Sequence, residues 1–117
     1  MLQNQNTPLH KCTIDYSDME MATLLIEYGA NVNARNDDGM TPLMCMCYKI
    51  GRRGYDDLDG GEIVDLLLQN GADRTIKGTR GDYKGRTALY FARGTFREDE
   101  TSPEQHSAMS SLGFRLW

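Results

Sequence analysis

The chain has 117 residues, 39% of them hydrophobic, which suits one domain with a modest core. No run approaches the roughly 18 apolar residues that a membrane-spanning helix needs, and the polar start Met1 to Asn6 is unlike a secretory leader, so a soluble, intracellular (cytoplasmic) protein is expected. The net charge of -4 and pI near 5.1 conceal a split: Met1 to Tyr48 is acidic, whereas Lys77 to Arg97 holds six basic residues against Asp82 alone.

The first helical signal is Thr7-Pro8-Leu9-His10. Threonine caps exposed helix amides and proline suits the first helical position, where no N–H is needed. A second helix is expected after Ser17, which with Glu20 has capping-box spacing and is followed by Met21, Leu24, Leu25 and Tyr28 at helical intervals. Gly29, twelve residues after that cap, suits the left-handed conformation that closes a helix, and Gly29-Ala30-Asn31-Val32-Asn33-Ala34 follows.

The same order then recurs. Thr41-Pro42-Leu43-Met44 opens a helix; Asp59 with Glu62 caps another carrying Ile63, Leu66, Leu67 and Asn70; Gly71-Ala72-Asp73-Arg74-Thr75 closes it. A third round begins at Thr87-Ala88-Leu89-Tyr90 and continues after Ser102, Pro103 and Gln105 with Met109 and Leu112. Thr7 to Thr41 is 34 residues but Thr41 to Thr87 is 46, and the surplus is read as two loops, Lys49 to Gly60 and Lys77 to Gly81, both rich in glycine and charge.

On these residues the chain resembles the ankyrin repeat family, whose signature is T-P-L-H-x-A in a unit of about 33 residues. The resemblance implies an all-α solenoid of three helix-turn-helix repeats, about 2–35, 36–81 and 82–117, with β-turn fingers of the form D-x-x-G-x-T. Asn36-Asp37-Asp38-Gly39-Met40-Thr41 and Asp82-Tyr83-Lys84-Gly85-Arg86-Thr87 match that form. The first unit lacks the leading aspartate and the turn glycine and reads as a cap or a truncated end; the third has a polar-faced last helix suited to a terminal cap. The alternative reading is a fragment or cap of a longer ankyrin array.

Resemblance also implies non-enzymatic protein binding through the concave side, formed by finger tips and first helices. Position by position this selects Asp37, Asp38 and Met40, then Tyr83, Lys84 and Arg86, with Cys45, Tyr48 and Phe91 on the helices. Asn4 and Asn6 are weaker candidates, and Arg93 and Arg97 extend the basic patch. Tyr83 and Arg86 lead, because tyrosine and arginine dominate interface energies when a partner buries them. His10 is read as structural, and so is Tyr90 in the third-repeat histidine position. The family further suggests Asn33 as a possible hydroxylation site.

Other chemistries find weaker support. G-x-S-x-G, H-E-x-x-H, Walker and dinucleotide signatures are all missing, and no cofactor is expected. Cys12, Cys45 and Cys47 read as reduced thiols, since Cys45 and Cys47 form a lone C-x-C without a second pair. The carboxylates of the 49–60 insertion lack calcium-loop spacing, and Arg80-Gly81-Asp82 overlaps the third turn, so its resemblance to an integrin motif is coincidental. Residues 77–97, with interleaved aromatics, are an alternative surface for nucleic acid or another acidic ligand, against which the overall acidity argues. A monomer is expected.

Overall fold

A computed structural model of the chain describes residues 5–15, 18–53, 60–93 and Leu112. They form five α-helices, α1 (Pro8–Ile14), α2 (Met19–Glu27), α3 (Pro42–Arg53), α4 (Gly60–Gln69) and α5 (Ala88–Arg93), with a short 3₁₀ turn at Gly81–Tyr83. α1, α3 and α5 pack in a row; α2 backs α1, α4 backs α3, and α2 meets α4. Among the described residues the architecture is the expected all-α stack.

The helix starts follow the threonine signal. Thr7 is extended (φ -78°, ψ 167°), its hydroxyl accepts from the His10 amide at 3.3 Å, and His10 Nδ1 accepts from the Thr7 amide at 3.1 Å. This is a capping box in which histidine replaces the usual glutamate. Thr41 and Thr87 repeat the first half, accepting from the Met44 and Tyr90 amides at 3.3 and 3.5 Å.

α2 departs by one residue: Asp18, not Ser17, is the cap, and its carboxylate accepts from the Met21 amide at 3.1 Å. A carboxylate there also complements the positive end of the helix dipole. Ser17 itself, the proposed cap Asp59 and the helix expected after Ser102 lie outside the described residues.

A helix of seven residues such as α1 cannot persist alone, so packing must hold it. Leu9 and Cys12 of α1, Ala22 of α2, Leu43, Met46, Cys47 and Ile50 of α3, Ile63, Val64 and Leu67 of α4, and Ala88 and Ala92 of α5 form one continuous core. Each large side chain fully buried there is worth about 1.5–3 kcal/mol. α3 is central: every residue from Thr41 to Cys47 is buried, as expected of a helical start, Pro42 to Cys47, that is apolar on all sides.

That centrality corrects the first insertion. Lys49 begins no loop, because α3 continues to Arg53. Leu43, Cys47 and Ile50 fall on one helical stripe, so burying Ile50 extends the helix into the stretch whose glycine and charge read as loop. The rest of that insertion, 54–59, lies outside the described residues.

Both second helices end alike. Ala30 and Ala72 donate to the carbonyls of Leu25 and Leu67 at 3.0 and 2.9 Å, and Gly29 and Gly71 to those of Ile26 and Leu68 at 3.0 and 3.2 Å. These are paired Schellman closures, with the glycines at φ 92° and 93°. The following loops match too, since Asn31 and Asp73 accept from the backbone two residues on, at 2.9 and 2.8 Å. Asn33 then stitches loop to loop: its amide group donates to Gly71 O at 3.0 Å and accepts from the Asp73 amide at 2.7 Å.

His10 is buried and spans two repeats. With Nδ1 accepting from Thr7, the network assigns the proton to Nε2, which donates to Met40 O at 2.8 Å. Burial holds its pKa below the ordinary 6.5, outweighing the opposing effect of the Met40 bond. A group depressed in the folded state takes up its proton sooner when unfolded, so its contribution is complete above the unfolded pKa and lost on acidification. Stability to urea should therefore fall as pH drops from about 6.5 towards 5, and a His10→Gln variant should lose that part of the slope. An identical slope in both proteins would refute it.

Gly39, at φ 78°, tests a different contact. A Cβ there would lie 2.9 Å from the Thr79 amide nitrogen and Cγ2, whereas one at Gly29 meets nothing within 4 Å. Gly29→Ala should cost only the left-handed backbone penalty, about 1–2 kcal/mol. Gly39→Ala should cost measurably more in the same denaturation assay.

Candidate functional site

The second finger is shaped by Asn36. Its side-chain oxygen accepts from the amides of Asp38 and Met40 at 2.9 and 3.0 Å, and its backbone N–H donates to Met40 O at 3.0 Å. Asparagine thus does the work of the aspartate in the D-x-x-G pattern, bonding its own turn. Asp37 and Asp38 are left at the tip, with Asp37 exposed and Asp38 half-buried. Asn36 Nδ2 also donates to Asn6 Oδ1 at 2.9 Å, so Asn6 braces this finger.

The third finger is built differently from the sequence expectation. Counted from the closing glycines Gly29 and Gly71, the residue matching Asn36 is Gly78, not Asp82. The backbone agrees: Gly78 N–H donates to Arg86 O at 3.1 Å, as Asn36 does to Met40. The second insertion therefore lies inside the finger and lengthens it, rather than preceding it. Asp82 falls in the 3₁₀ turn at its tip, and Arg80, Asp82 and Lys84 are exposed there.

The two fingers are locked together. The Thr79 amide donates to Asp38 O at 2.9 Å. Arg35 donates through Nε to Gly39 O at 3.2 Å and through Nη2 to Lys77 O at 2.6 Å, spanning both fingers. Sequence reasoning missed this tie, because carbonyl acceptors carry no side-chain signature.

Beneath the fingers, Tyr48 of α3, Tyr83 of the third finger and Phe91 of α5 form an edge-to-face triad with centroids 5.4, 5.7 and 6.0 Å apart. Burial, a hydrogen bond with Tyr48 and the nearby Asp38 carboxylate push the Tyr83 phenol up to about 12, so it stays neutral. Tyr90, half-exposed, packs against Phe91 at 5.8 Å and carries the Arg86 guanidinium 4.2 Å above its ring. That contact braces its own finger, whereas His10 reaches into the next repeat.

Of the residues selected from the sequence, Asp37, Lys84 and Arg86 are exposed and Asp38, Tyr48 and Tyr83 half-buried, all along these fingers and helices. Met40, Cys45 and Phe91 are only 3, 7 and 5% exposed. This corrects their selection as surface contacts: neighbouring repeats cover their apolar side chains, so they support the surface from below. Asn4 and Arg97 lie outside the described residues, as does the side chain of Arg93.

The cysteines are buried. Burial and the Asp38 charge push the Cys45 thiol up to about 12, and burial raises Cys47 as well. Such thiols are poor nucleophiles. Among the described residues no three histidines, cysteines or carboxylates gather to hold a metal, and no helix is long and apolar enough to cross a membrane.

Comparison with known proteins agrees with this geometry. The family profile described as "Ankyrin repeats (3 copies)" matches residues 1–75. The chain is 41% identical over 88 residues to "Probable E3 ubiquitin-protein ligase XBOS33" of Oryza sativa, covering 74% of this chain and 14% of that protein. It is 34% identical over 74 residues to "Protein phosphatase 1 regulatory subunit 27" of Homo sapiens, covering 63% and 42%. The solved structure of EF0377, an ankyrin repeat protein, superposes with a TM-score of 0.69 at 26% identity, covering 93% of this chain and 47% of that one. The chain thus spans well under two thirds of the length of each of these proteins. Its paired repeats, their caps and closures, and the profile match over more than half its length place this chain in the ankyrin repeat family.

Proposed function

We propose that this chain is a non-enzymatic protein-binding module, an adaptor or regulator, that grips a partner protein with its second and third fingers and the inner helices behind them. Asp37, Asp38, Tyr48, Tyr83, Lys84 and Arg86 make the contact; Met40, Cys45 and Phe91 hold it in shape. The observation that carries the reading is the lock between the fingers, through Thr79 to Asp38 and through Arg35 to Gly39 and Lys77. A surface fixed before binding loses less conformational entropy when a partner docks. Its half-buried tyrosines beside an arginine are the residue types that dominate interface energies.

Membership of a family of interaction modules, and a relative named as a regulatory subunit, support binding over catalysis. An intracellular, cytoplasmic setting belongs to the same proposal, because three free, buried cysteines suit a reducing compartment.

A Tyr83→Ala, Arg86→Glu variant should keep its helical circular dichroism yet retain captured partner proteins about tenfold more weakly or worse, as loss of a hot spot dictates. Recovery of the same proteins at equal yield by both forms would remove the site assignment. The exposed Lys77, Arg80, Lys84 and Arg86 also permit contact with a polyanion, but Asp37 and Asp38 on the adjoining finger oppose it. Single-stranded DNA should therefore not be held at low salt; retention falling linearly with log salt would favour the nucleic-acid alternative.

A further inference from the structure

The two locked fingers carry charge of opposite sign. The second presents Asp37, exposed, and Asp38, half-buried, and Arg35 beside it is engaged with Gly39 O and Lys77 O. The third presents Lys77, Arg80, Lys84 and Arg86, all exposed, against Asp82 alone. Gly78 N–H donates to Arg86 O and Gly85 N–H to Gly78 O, so this finger doubles back on itself. Lys77 and Arg86 therefore stand at its base and Arg80 and Lys84 towards its tip, and positive charge runs along its length.

The bonds that join the fingers run through the Thr79 amide, the Asp38 carbonyl and the Arg35 guanidinium, so the side chains of Asp37, Arg80 and Lys84 take no part in the lock. Alongside burial, the larger cause, the Asp38 charge helps to raise the Tyr83 phenol and the Cys45 thiol, which places this carboxylate beside the rings of Tyr48, Tyr83 and Phe91. Acid, ring edges and cations thus follow one another from the second finger to the third. A uniformly charged ligand meets attraction on one finger and repulsion on the next; a ligand carrying both signs meets attraction on both. Touching chains lie about 4.8 Å apart, so two doubled-back fingers have centres about 10 Å apart, a span that about three extended residues cover.

We infer that the segment gripped by the fingers is an extended bipolar peptide of the partner protein. Its lysine or arginine lies over Asp37 and Asp38, and its glutamates or aspartates, about three residues away, lie over Arg80, Lys84 and Arg86. An apolar side chain between them rests on the edges of Tyr48 and Tyr83. The inference rests on the finger site proposed above and adds the chemistry of what that site takes.

Fluorescence anisotropy with three labelled, end-blocked hexapeptides tests it, at low salt where charges are least screened. One carries two lysines, alanine, leucine and two glutamates; the others replace the lysines with glutamates or the glutamates with lysines. The full chain should hold the bipolar peptide at least about tenfold more tightly than either uniformly charged one. An Arg80→Glu, Lys84→Glu variant, altered only at exposed positions and with unchanged circular dichroism, should instead prefer the peptide charged by lysine alone, because both finger tips are then acidic. Equal affinity for the three peptides, no measurable binding of any, a wild type that prefers a uniformly charged peptide, or a variant that keeps the wild-type order would each overturn the inference. Its failure is separable from failure of the finger site itself. If the Tyr83→Ala, Arg86→Glu variant still loses captured proteins, the site stands and only its charge preference falls.

Discussion

Burial of the first half of α3 on every side is the constraint on which the rest of the structure depends. α1 and α5 flank it and α4 backs it, and its residues from Thr41 to Cys47 are removed from water. None of the neighbours is long enough to be stable alone: α1 has seven residues and α5 six. Each exists because α3 offers an apolar wall, and the first half of α3, Pro42 to Cys47, is apolar on all sides because it must serve several neighbours at once. This is the mutual dependence of a stacked repeat, in which one unit cannot bury its own face.

Polar bonds between repeats then set the spacing of the stack. His10 to Met40 O, Asn36 to Asn6, and Asn33 to Gly71 and Asp73 each run from one repeat to the next. The bonds to Met40 O, Gly71 O and the Asp73 amide engage backbone groups of the neighbouring repeat, while Asn36 to Asn6 joins two side chains. Arg35 and Thr79 extend the same logic to the fingers, so the surface proposed for binding is continuous with the bonding that holds the stack. The lengthened third finger fits this scheme because its extra residues fold back onto Asp38 rather than projecting as a separate loop.

The site divides by depth. Asp37, Lys84 and Arg86 face solvent, the Tyr48, Tyr83 and Phe91 rings interlock beneath them, and Met40 and Cys45 close the floor. A partner would therefore meet charge at the finger tips and aromatic edges between the fingers, over a base that cannot shift without disturbing the core.

The amino-acid sequence by itself determined the repeat, because its signals are local. Threonine bonds an amide three residues on, proline tolerates the first helical turn, and Gly29 and Gly71 close helices within five residues of the carbonyls they satisfy. Those signals placed α1, α3, α5 and both closures, and with them the fold class. The tertiary structure alone decided which equivalent positions lie inside. Met21 and Ile63 occupy the same register, yet among the described residues one is half-exposed and the other buried, since burial depends on which elements meet in space. For the same reason Met40, Cys45 and Phe91 passed from surface to core, α3 ran on through Ile50, and Gly78 took the finger position that the local pattern assigned to Asp82. Each of these outcomes depends on chain segments distant in sequence meeting in space, which no local spacing records.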